Sequence, residues 1–393
     1  MKIMLQNHTF YPILGGIENY LCHVSKKLKE MGHQPIILCE NSNAEMADIE
    51  MYNGIKIIRH PYYNVPKLLL SVKPKIIAQQ LKHFILKHVA KVDLIISRYP
   101  HYCFATTELD LDIPIFYIPP SVFWKQLNKA SVNQSMKLRV FNFIWKRSLD
   151  DMERKSILQS RKTFVFSQNN AESLARYYGL GIFEFAVIPP GVEINRFTRS
   201  KDWGLVNELN IGDKTIVLLY VGRLPPEKNV GRLLKEVQKL RKDNVKLLIV
   251  GDGSERRRLE KMCGTLGLEK KVIFLGIRED VERFYSIADI FISPSKYEPF
   301  GQVILEAMAS GLPCVTFKRM LPEYEVAADE IIEDAVTGYC VNPYEKDEFR
   351  KRLIYLIENP EIRKKMGEAG RRVCQKKYTW KGHAKKLLEQ VYS

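Results

Sequence analysis

The sequence has 393 residues, of which 46% are hydrophobic and 27% charged, and its 61 Lys and Arg against 45 Asp and Glu give a formal charge of +16. The length predicts two or three domains, and the apolar content is enough for full cores and excludes a disordered chain. No apolar run reaches the ~18 residues of a membrane-spanning helix, the first residues lack a signal-peptide pattern, and the seven cysteines occur singly, so we expect a cytoplasmic protein without a disulfide or zinc framework.

Strand-like and helix-like patterns alternate through the first half of the chain. Leu21, Val24 and Leu28 recur at helical spacing, which predicts a helix over 17–31 that ends at Gly32. Short β-rich runs predict buried strands at 2–5, 35–39, 55–59, 93–97, 115–118 and 163–167. Strands separated by helices are typical of βαβ units, so we expect a parallel sheet.

The second half repeats this alternation. Predicted strands lie at 215–221, 245–250, 272–275, 290–294 and 313–317, with helices between them that include 230–240 and 254–266. The predicted fold class is therefore α/β, with two Rossmann-like, doubly wound parallel-sheet domains at 1–195 and 196–377. Such sheets bind ligands at the carboxyl ends of their strands, so we expect the two domains to face a central cleft that holds the ligand.

The segment 52–107 is strongly basic, with nine Lys or Arg against one acidic residue. This excess indicates an anionic partner (a membrane surface, nucleic acid or a polyphosphate) or else a solvated basic face. Within it, the segment 66–91 is split by Pro74, and from Lys75 onward apolar residues recur at helical spacing opposite basic ones. The pattern is typical of a helix on an anionic membrane, and equally of a surface helix whose apolar stripe packs on the core. The candidate membrane-binding residues are Lys75, Lys82, Lys87 and Lys91.

The sequence VGRLPPEKN at 221–229 places a glycine directly after a predicted strand. Arg223 and Lys228 follow on the loop at the carboxyl end of that strand. Arginine is a planar fork and lysine a compact charge, so the two together suit a diphosphate. On its own this motif is weakly specific, because basic residues are common in loops.

The sequence EPFGQVILE at 298–306 is more specific. The chain enters a helix near Phe300 and Gly301, where backbone N–H groups can approach an anionic or hydroxyl-rich ligand. Glu298 precedes the helix and Glu306 lies about two turns into it, a spacing that suits a sugar at one carboxylate and a ribose at the other. The apolar sequence after Glu306 indicates a buried helix end, where a carboxylate needs a partner.

Further motifs accompany these two in a fixed order along the chain. They are GGIE (15–18), GH (32–33), IPPGVE (188–193), RF (196–197), VGDGS (250–254), FLG (274–276), ADIFISPS (288–295) and YTW (378–380). Together with GRLPPEK and the segment 298–313, they resemble the retaining nucleotide-sugar glycosyltransferases of family four, which have the GT-B fold. The resemblance covers nearly the whole chain.

The resemblance implies roles for the matching residues. Arg223 and Lys228 would hold the diphosphate of a UDP- or GDP-sugar, Glu306 would bind the ribose, and Glu298 would contact the transferred sugar. The remaining donor contacts implied are Gly15, Gly16, Gly276, Ile277, Phe300, Gly301 and Gln302. No metal ion and no cofactor are implied, because the two cations replace a divalent ion. The helix at 378–393 would cross back to the first domain.

The first domain departs from the family pattern at one place. Many members carry a histidine after the strand predicted at 115–118, where this chain has PPS at 119–121. His101, after the preceding strand, is the nearest candidate for a histidine near the sugar, although a single histidine is more often structural. The activation of the acceptor is therefore open.

Other signals are weaker. The sequence DLD at 110–112 matches a metal-binding pattern but lies in a predicted turn, and GDG at 251–253 lacks the third glycine of a dinucleotide-binding motif. No nucleic-acid-binding module is present, so nucleic acid is not an expected partner.

Three functions fit the sequence. The first is a glycosyltransferase, peripheral on the inner face of the plasma membrane, that builds a glycolipid, lipid-linked glycan or polysaccharide precursor. The second is a soluble transferase with a small-molecule or protein acceptor. The third is a non-catalytic scaffold of the same fold, which the intact set of Arg223, Lys228, Glu298 and Glu306 disfavours.

Overall fold

The computed structural model describes residues 1–12, 15–41, 46–61, 73–122 and 136–392. The chain forms two compact units, Met1–Pro190 with His383–Ser393, and Gly191–Gly382. Residues 66–72 of the segment 66–91, which precede the predicted amphipathic helix, lie outside the described residues. Over the ranges described, no helix combines the length and apolar character needed to cross a membrane.

The first unit is built on one sheet. Its strands are β1 (Lys2–Gln6), β2 (Gln34–Glu40), β3 (Ile49–Tyr52), β4 (Ile55–His60), β5 (Leu94–Ser97), β6 (Ile115–Tyr117), β7 (Lys162–Val165) and β8 (Phe185–Val187). The helices between them are α1 (Gly16–Glu30), α2 (Lys73–His88), α3 (Pro100–Thr107), α4 (Met136–Gln159) and α5 (Gln168–Tyr178). The strand order is β3-β4-β2-β1-β5-β6-β7-β8, and only β3, paired with β4, is antiparallel among these strands.

The order of strands in this sheet reverses between β1 and β5. From β1 the chain moves outward through β2 and β4, then returns to the other side of β1 and moves outward again through β6, β7 and β8. The carboxyl ends of β1 and β5 therefore flank the topological switch point, which is where doubly wound sheets bind ligands.

The second unit has a sheet of six parallel strands and a separate two-stranded sheet. The strands are β9 (Ile216–Val221), β10 (Val245–Val250), β11 (Val272–Gly276), β12 (Ile290–Ser293), β13 (Tyr297–Glu298), β14 (Cys314–Phe317), β15 (Glu325–Val326) and β16 (Gly338–Val341). The larger sheet has the order β11-β10-β9-β12-β14-β16, so its switch point lies between β9 and β12. The small sheet pairs β13 with β15.

Helices follow the strands of the second unit. They are α6 (Trp203–Glu208), α7 (Val230–Lys239), α8 (Arg256–Thr265), α9 (Val281–Ile287), α10 (Gln302–Ala309), α11 (Ala328–Ile331), α12 (Glu348–Glu358), α13 (Pro360–Lys377) and α14 (Trp380–Glu389). Helix α7 illustrates the amphipathic pattern that lets these helices cover the sheet. Its Leu233, Leu234 and Val237 are buried on one face, while Lys235 and Lys239 are exposed. Helix α14 is shared, because Gly382 belongs to the second unit and His383 to the first.

The two parallel α/β sheets confirm the predicted fold class. The strands expected from apolar runs are present with ends displaced by one or two residues. Strands such as β5, β9 and β10 are buried along nearly their whole length, as expected for a parallel sheet covered by helices, whereas the edge strand β11 is only partly buried.

The basic helix α2 packs its apolar stripe into the core of the first unit. Ala78, Leu81 and Ile85 are at most 1% exposed and lie in one cluster with residues of β4, β5 and α3. Of the alternatives that the sequence left open, the structure therefore shows a surface helix with a core-facing stripe. Its apolar face is not available for insertion into a membrane, so any contact with an anionic surface would be made by its exposed lysines.

Two glycines bring α13 against the chain that follows α10. A Cβ atom on Gly367 would lie 1.8 Å from the carbonyl oxygen of Gly311, so a side chain could be placed there only if this backbone moved. Glycine inside a helix is less stable than alanine by about 1 kcal/mol. We infer that Gly367 is present because of this close approach.

We therefore expect Gly367→Ala to lower the free energy of unfolding by about 2 kcal/mol, since the overpacking outweighs the gain in helix propensity. The control is Gly231→Ala in α7, where a Cβ would meet only ordinary contacts of 3.5 Å or more. That substitution should raise the stability by up to about 1 kcal/mol. Urea denaturation measures both, and a Gly367→Ala variant as stable as the wild type would contradict the packing described.

Candidate active site

The loop after β9 is shaped by close backbone packing. Gly251, directly after the neighbouring β10, has φ +130°, and a Cβ on it would lie 2.0 Å from the carbonyl oxygen of Gly222. Only glycine allows this conformation and this approach. Tyr220 Oη donates to the Arg223 carbonyl at 2.8 Å, which holds the loop over the sheet end. The Arg223 side chain is exposed at this edge.

An ion pair joins the loops that follow β9 and β12. Lys228 Nζ lies 2.5 Å from Glu298 Oε2, and the two side chains are only 13% and 18% exposed. The loops are also joined by the Lys296 N–H, which donates to the Glu227 carbonyl at 2.8 Å, and by Asn229 Nδ2, which donates to the Pro294 carbonyl at 3.1 Å. The predicted cation and the predicted sugar-binding carboxylate are therefore in direct contact at the switch point.

The start of α10 lies in the same loop region. Gly301 is the residue before the helix and has φ +111°, a left-handed conformation that favours glycine. A Cβ there would lie 2.9 Å from Ile304 Cδ1. Gln302 Nε2 donates to the Gly191 carbonyl at 3.0 Å, so the side-chain amide is engaged. The group of Gln302 that can face a ligand is therefore its backbone N–H. Phe300 is buried.

Glu306 is the fifth residue of α10, one turn earlier than the predicted two turns because the helix starts at Gln302. Tyr285 Oη donates to Glu306 Oε2 at 3.0 Å. Burial raises the pKa of Glu306 to about 7, while the hydrogen bond from Tyr285 and the charge of Arg196 act in the opposite direction. The sequence predicted that this carboxylate needs a partner, and Tyr285 is that partner.

The loop after β11 presents backbone and one apolar side chain. The Gly251 N–H donates to the Gly276 carbonyl at 2.7 Å, and Gly276 has φ +69°. Ile277 is 80% exposed. Arg278 is engaged with Asp280 at 2.8 Å. The predicted donor contacts Gly276 and Ile277 thus lie at the carboxyl end of a strand three places from β12.

The residues of the first unit that were predicted to contact the donor or its sugar lie at the switch point of the first sheet. Gly15 precedes α1 and donates its N–H to Glu18 Oε2 at 3.0 Å, and both Gly15 and Gly16 are exposed. A Cβ on Gly16 would meet nothing within 4 Å. His101, in α3, is 7% exposed and its ring is stacked on Tyr99 with centroids 5.1 Å apart.

The candidate membrane-binding lysines differ in their surroundings. Lys75, Lys87 and Lys91 are exposed. Lys82 is half-buried and lies 3.6 Å from Glu108 Oε2. Three of the four positive charges therefore point to solvent.

Sequence reasoning missed Tyr285, the hydrogen-bond donor to Glu306. Its ring is fully buried and makes an edge contact with Phe197, with centroids 5.5 Å apart. Tyr285 lies on α9, where the local sequence has the pattern of an ordinary apolar helix face, so the residues around it do not indicate a role in the site. A buried tyrosine needs a hydrogen-bond partner, and that rule could have linked it to a buried glutamate.

The protein is an α/β protein with two doubly wound sheets. At the switch point of the second sheet it has two cations, two carboxylates and a helix that begins after a glycine, an arrangement that suits a phosphate-bearing ligand. Residues 14–196 match the family model described as Glycosyltransferase Family 4. Residues 203–373 match the model described as Glycosyl transferases group 1. The chain belongs to the family-four glycosyltransferases of the GT-B fold.

Individual proteins are similar over nearly their whole length. Alpha-monoglucosyldiacylglycerol synthase of Acholeplasma laidlawii is 23% identical over 375 residues, 92% of this chain and 89% of its own. The sucrose-phosphate synthase of Thermosynechococcus elongatus has a TM-score of 0.79 at 21% identity, covering 100% of this chain and 99% of its own. Anabaena HepE in complex with UDP and glucose has a TM-score of 0.74 at 20% identity, covering 100% and 99%.

The raised pKa of Glu306 predicts a pH-dependent stability. Its folded value of about 7 lies above the ordinary 4.5. Its stabilising contribution is therefore complete below about pH 4.5 and is lost as the pH rises through 7. We expect Glu306→Gln to be more stable than the wild type at pH 8 by up to about 3 kcal/mol, with no difference at pH 4.5.

Chemical denaturation across this pH range measures the effect. Tyr285→Phe is the matched variant, because losing the hydrogen bond to the carboxylate should move the step to higher pH. Parallel stability curves for the wild type and Glu306→Gln would contradict the burial of this carboxyl.

Proposed function

We propose that this glycosyltransferase moves a sugar, with retention of configuration, from a UDP- or GDP-sugar to a membrane-associated acceptor: a glycolipid, a lipid-linked glycan or a polysaccharide precursor. The observation that carries the proposal is the presence of Arg223, Lys228, Glu298 and Glu306 at one switch point. The complex of HepE, which has the same fold, with UDP and glucose supports a nucleotide-sugar donor.

The proposed chemistry follows from where charge develops. The bond between the sugar and the diphosphate breaks, and negative charge grows on the departing nucleoside diphosphate. Arg223, Lys228 and the N–H groups at the start of α10 stabilise this charge, and one such preorganised group typically contributes about 3–4 kcal/mol. Because these groups supply the positive charge, we propose that transfer requires neither a metal ion nor a cofactor.

The ion pair assigns different roles to its two members. Lys228 is held in place by Glu298 and is therefore a fixed cation for the leaving group. Glu298 is already paired, which weakens it as a nucleophile, so we assign it to the hydroxyl groups of the transferred sugar. No protein nucleophile is assigned. The incoming hydroxyl attacks from the side of the leaving phosphate, which accepts its proton.

The proposed acceptor rests on charge and on one relative. Three lysines of the α2 region are exposed in the basic segment 52–107, and about 1 kcal/mol per basic residue near an anionic membrane is a typical contribution. The Acholeplasma relative is named for making a glucosyldiacylglycerol, which is a lipid. A soluble transferase with an anionic acceptor is the second candidate, since the same lysines would serve it.

Replacing the fixed cation should slow the chemical step. We expect Lys228→Met to lower kcat by about 10²–10³-fold and to change the donor KM much less, because the charge on the leaving group exists mainly in the transition state. Glu306→Ala should instead raise the donor KM. The assay is single-sugar transfer in buffer containing EDTA.

Lys239→Met, an exposed lysine on α7 outside the site, is the control and should keep wild-type kinetics. A Lys228→Met enzyme with wild-type kcat would remove Lys228 from the mechanism. Transfer that starts only when a divalent metal is added would contradict the metal-independent proposal.

Loss of the exposed lysines should weaken binding to membranes. We expect the combined change of Lys75, Lys87 and Lys91 to Ala to reduce co-sedimentation with anionic phosphatidylglycerol vesicles at low salt by at least about tenfold. The control removes the same charge from α13 of the second unit, by changing the exposed Lys364, Lys365 and Lys376 to Ala. If the wild type does not bind these vesicles at low salt, the soluble transferase is favoured.

A further inference from the structure

Among the described residues of the first unit, the buried arginine Arg98 has no counter-ion. Arg98 directly follows β5, at the switch point of the first sheet, and belongs to the basic segment 52–107. Its side chain is 2% exposed. None of the roles assigned above uses it.

Comparison with Arg59, the other arginine of this unit that is 2% exposed, shows what is unusual. Arg59 Nη2 donates to Glu50 at 2.7 Å and to the Tyr11 carbonyl at 2.8 Å. Arg98 Nε and Nη1 are fully enclosed and have no hydrogen-bond partner within the described part of the chain. Burying donors of a charged group without partners is strongly unfavourable. The fold supplies acceptors for the donors of Arg59 but leaves two donors of Arg98 without one.

Aromatic rings explain how the charge is tolerated, but they do not satisfy its donors. The Arg98 guanidinium carbon lies 4.4 Å from the ring centre of Tyr20 and 4.7 Å from that of Phe166. The two ring centres are 5.2 Å apart. These three distances form a nearly equilateral triangle, so the rings lie side by side and do not enclose the guanidinium from opposite faces. Cation–π contacts stabilise the charge by about 1–2 kcal/mol when it is desolvated, whereas the N–H groups need an acceptor.

The neighbouring polar groups are engaged elsewhere. Glu18, whose charge acts on Arg98, accepts hydrogen bonds from Thr9 Oγ1 at 2.5 Å, the Gly15 N–H at 3.0 Å and Asn7 Nδ2 at 3.3 Å. No hydrogen bond or ion pair between Glu18 and Arg98 is present in the described residues. The carboxylate whose charge acts on Arg98 is therefore committed to the start of α1.

Tyr20 is fixed in the same way. His383 Nδ1 lies 2.8 Å from the Pro189 carbonyl, so it carries the proton of the ring, and Nε2 accepts from Tyr20 Oη at 2.8 Å. Burial lowers the pKa of His383 to about 4, which keeps the ring neutral beside Arg98. The aromatic corner thus positions the guanidinium without neutralising it.

We propose that Arg98 binds an oxyanion group of the acceptor, a phosphate in the first instance, at the switch point of the first sheet. The assignment of this phosphate to the acceptor rests on the proposed function, whereas the binding of phosphate by Arg98 does not. A guanidinium presents parallel N–H groups that match phosphate oxygens, and the carboxyl end of β5 beside β1 is where a doubly wound sheet places a ligand. Arg98 therefore accounts for part of the basic excess that the diphosphate site of the second unit does not.

The test uses the full chain and measures thermal stability against inorganic phosphate at constant ionic strength, with chloride as reference. We expect phosphate to raise the Tm of the wild type. Arg98→Met should be more stable than the wild type without phosphate, because an unpaired buried charge is removed, and its apparent Kd for phosphate should be weaker by at least tenfold. Arg98→Lys, which keeps the charge but not the fork, should show an intermediate Kd.

Two control variants locate the response. Arg59→Met should lower the Tm, because Glu50 loses its partner, and should keep the response to phosphate. The double variant Arg223→Ala, Lys228→Met should also keep it. If Arg98→Met is destabilised and responds to phosphate like the wild type, Arg98 is structural and the proposal fails.

A nucleotide arm distinguishes the two sources of phosphate. UDP and GDP should protect Arg98→Met as well as they protect the wild type, because the donor diphosphate is bound in the second unit. If Arg98→Met loses protection by the nucleotide, Arg98 contacts the donor and the acceptor assignment is wrong. If the wild type transfers no sugar from any donor but still shows an Arg98-dependent phosphate response, the proposed function fails and the anion site stands.

Discussion

The Lys228–Glu298 ion pair is the interaction on which the site of the second unit depends. Lys228 is presented by the chain that follows β9 and Glu298 by the chain that follows β12. The sheet reverses its order between these two strands, so no crossover helix covers the gap between their carboxyl ends. Both groups are largely buried, and removing either would leave the other as an uncompensated charge. Each loop therefore holds the other in place.

The rest of this site is arranged around that pair by backbone packing. Gly251 allows the chain after β10 to touch Gly222, and Gly301 allows α10 to begin at Gln302, four residues after Glu298. The result is a helix start, an exposed Arg223 and a half-buried Glu306 on one side of the sheet. In the proposed function, these parts supply positive charge for the diphosphate and a carboxylate for the hydroxyl groups of a nucleotide sugar.

The first unit uses the same topology for different chemistry. Its switch point, between β1 and β5, also carries an arginine, but within the described residues Arg98 has no carboxylate partner and is positioned by Tyr20 and Phe166 instead. This difference is the reason for proposing two different ligands. In the proposals above, the paired Lys228 holds the donor diphosphate while its bond to the sugar breaks, and the unpaired Arg98 receives its negative charge from a bound phosphate.

Local patterns in the sequence were sufficient for most strands of the two large sheets, although not for β3, β8 and β16, and for the motifs of the second site. Runs such as 245–250 are continuous and apolar because both faces of a parallel strand are covered, and this is visible in the sequence. By contrast, β3 is an exposed edge strand with a mixed pattern, and the 24-residue helix α4 has no dominant apolar stripe in its sequence, so neither was predicted.

The remaining differences arise from contacts between distant residues. The amphipathic pattern of α2 did not reveal whether its stripe faces lipid or core, because both are apolar, and only the packing of Leu81 and Ile85 decides it. The partner of Glu306, 21 residues away, and the unpaired state of Arg98 depend likewise on tertiary neighbours. A residue type and its spacing indicate what a side chain can do, whereas its partners depend on the whole fold.

We propose that the switch point of the second sheet holds the donor diphosphate. Amide hydrogen exchange of the wild-type protein, with and without saturating UDP or GDP, tests this most directly. We predict that the nucleotide that binds slows exchange at least about tenfold in 222–229 and 300–306. Binding confirmed by calorimetry with unchanged exchange in both segments would contradict the claim.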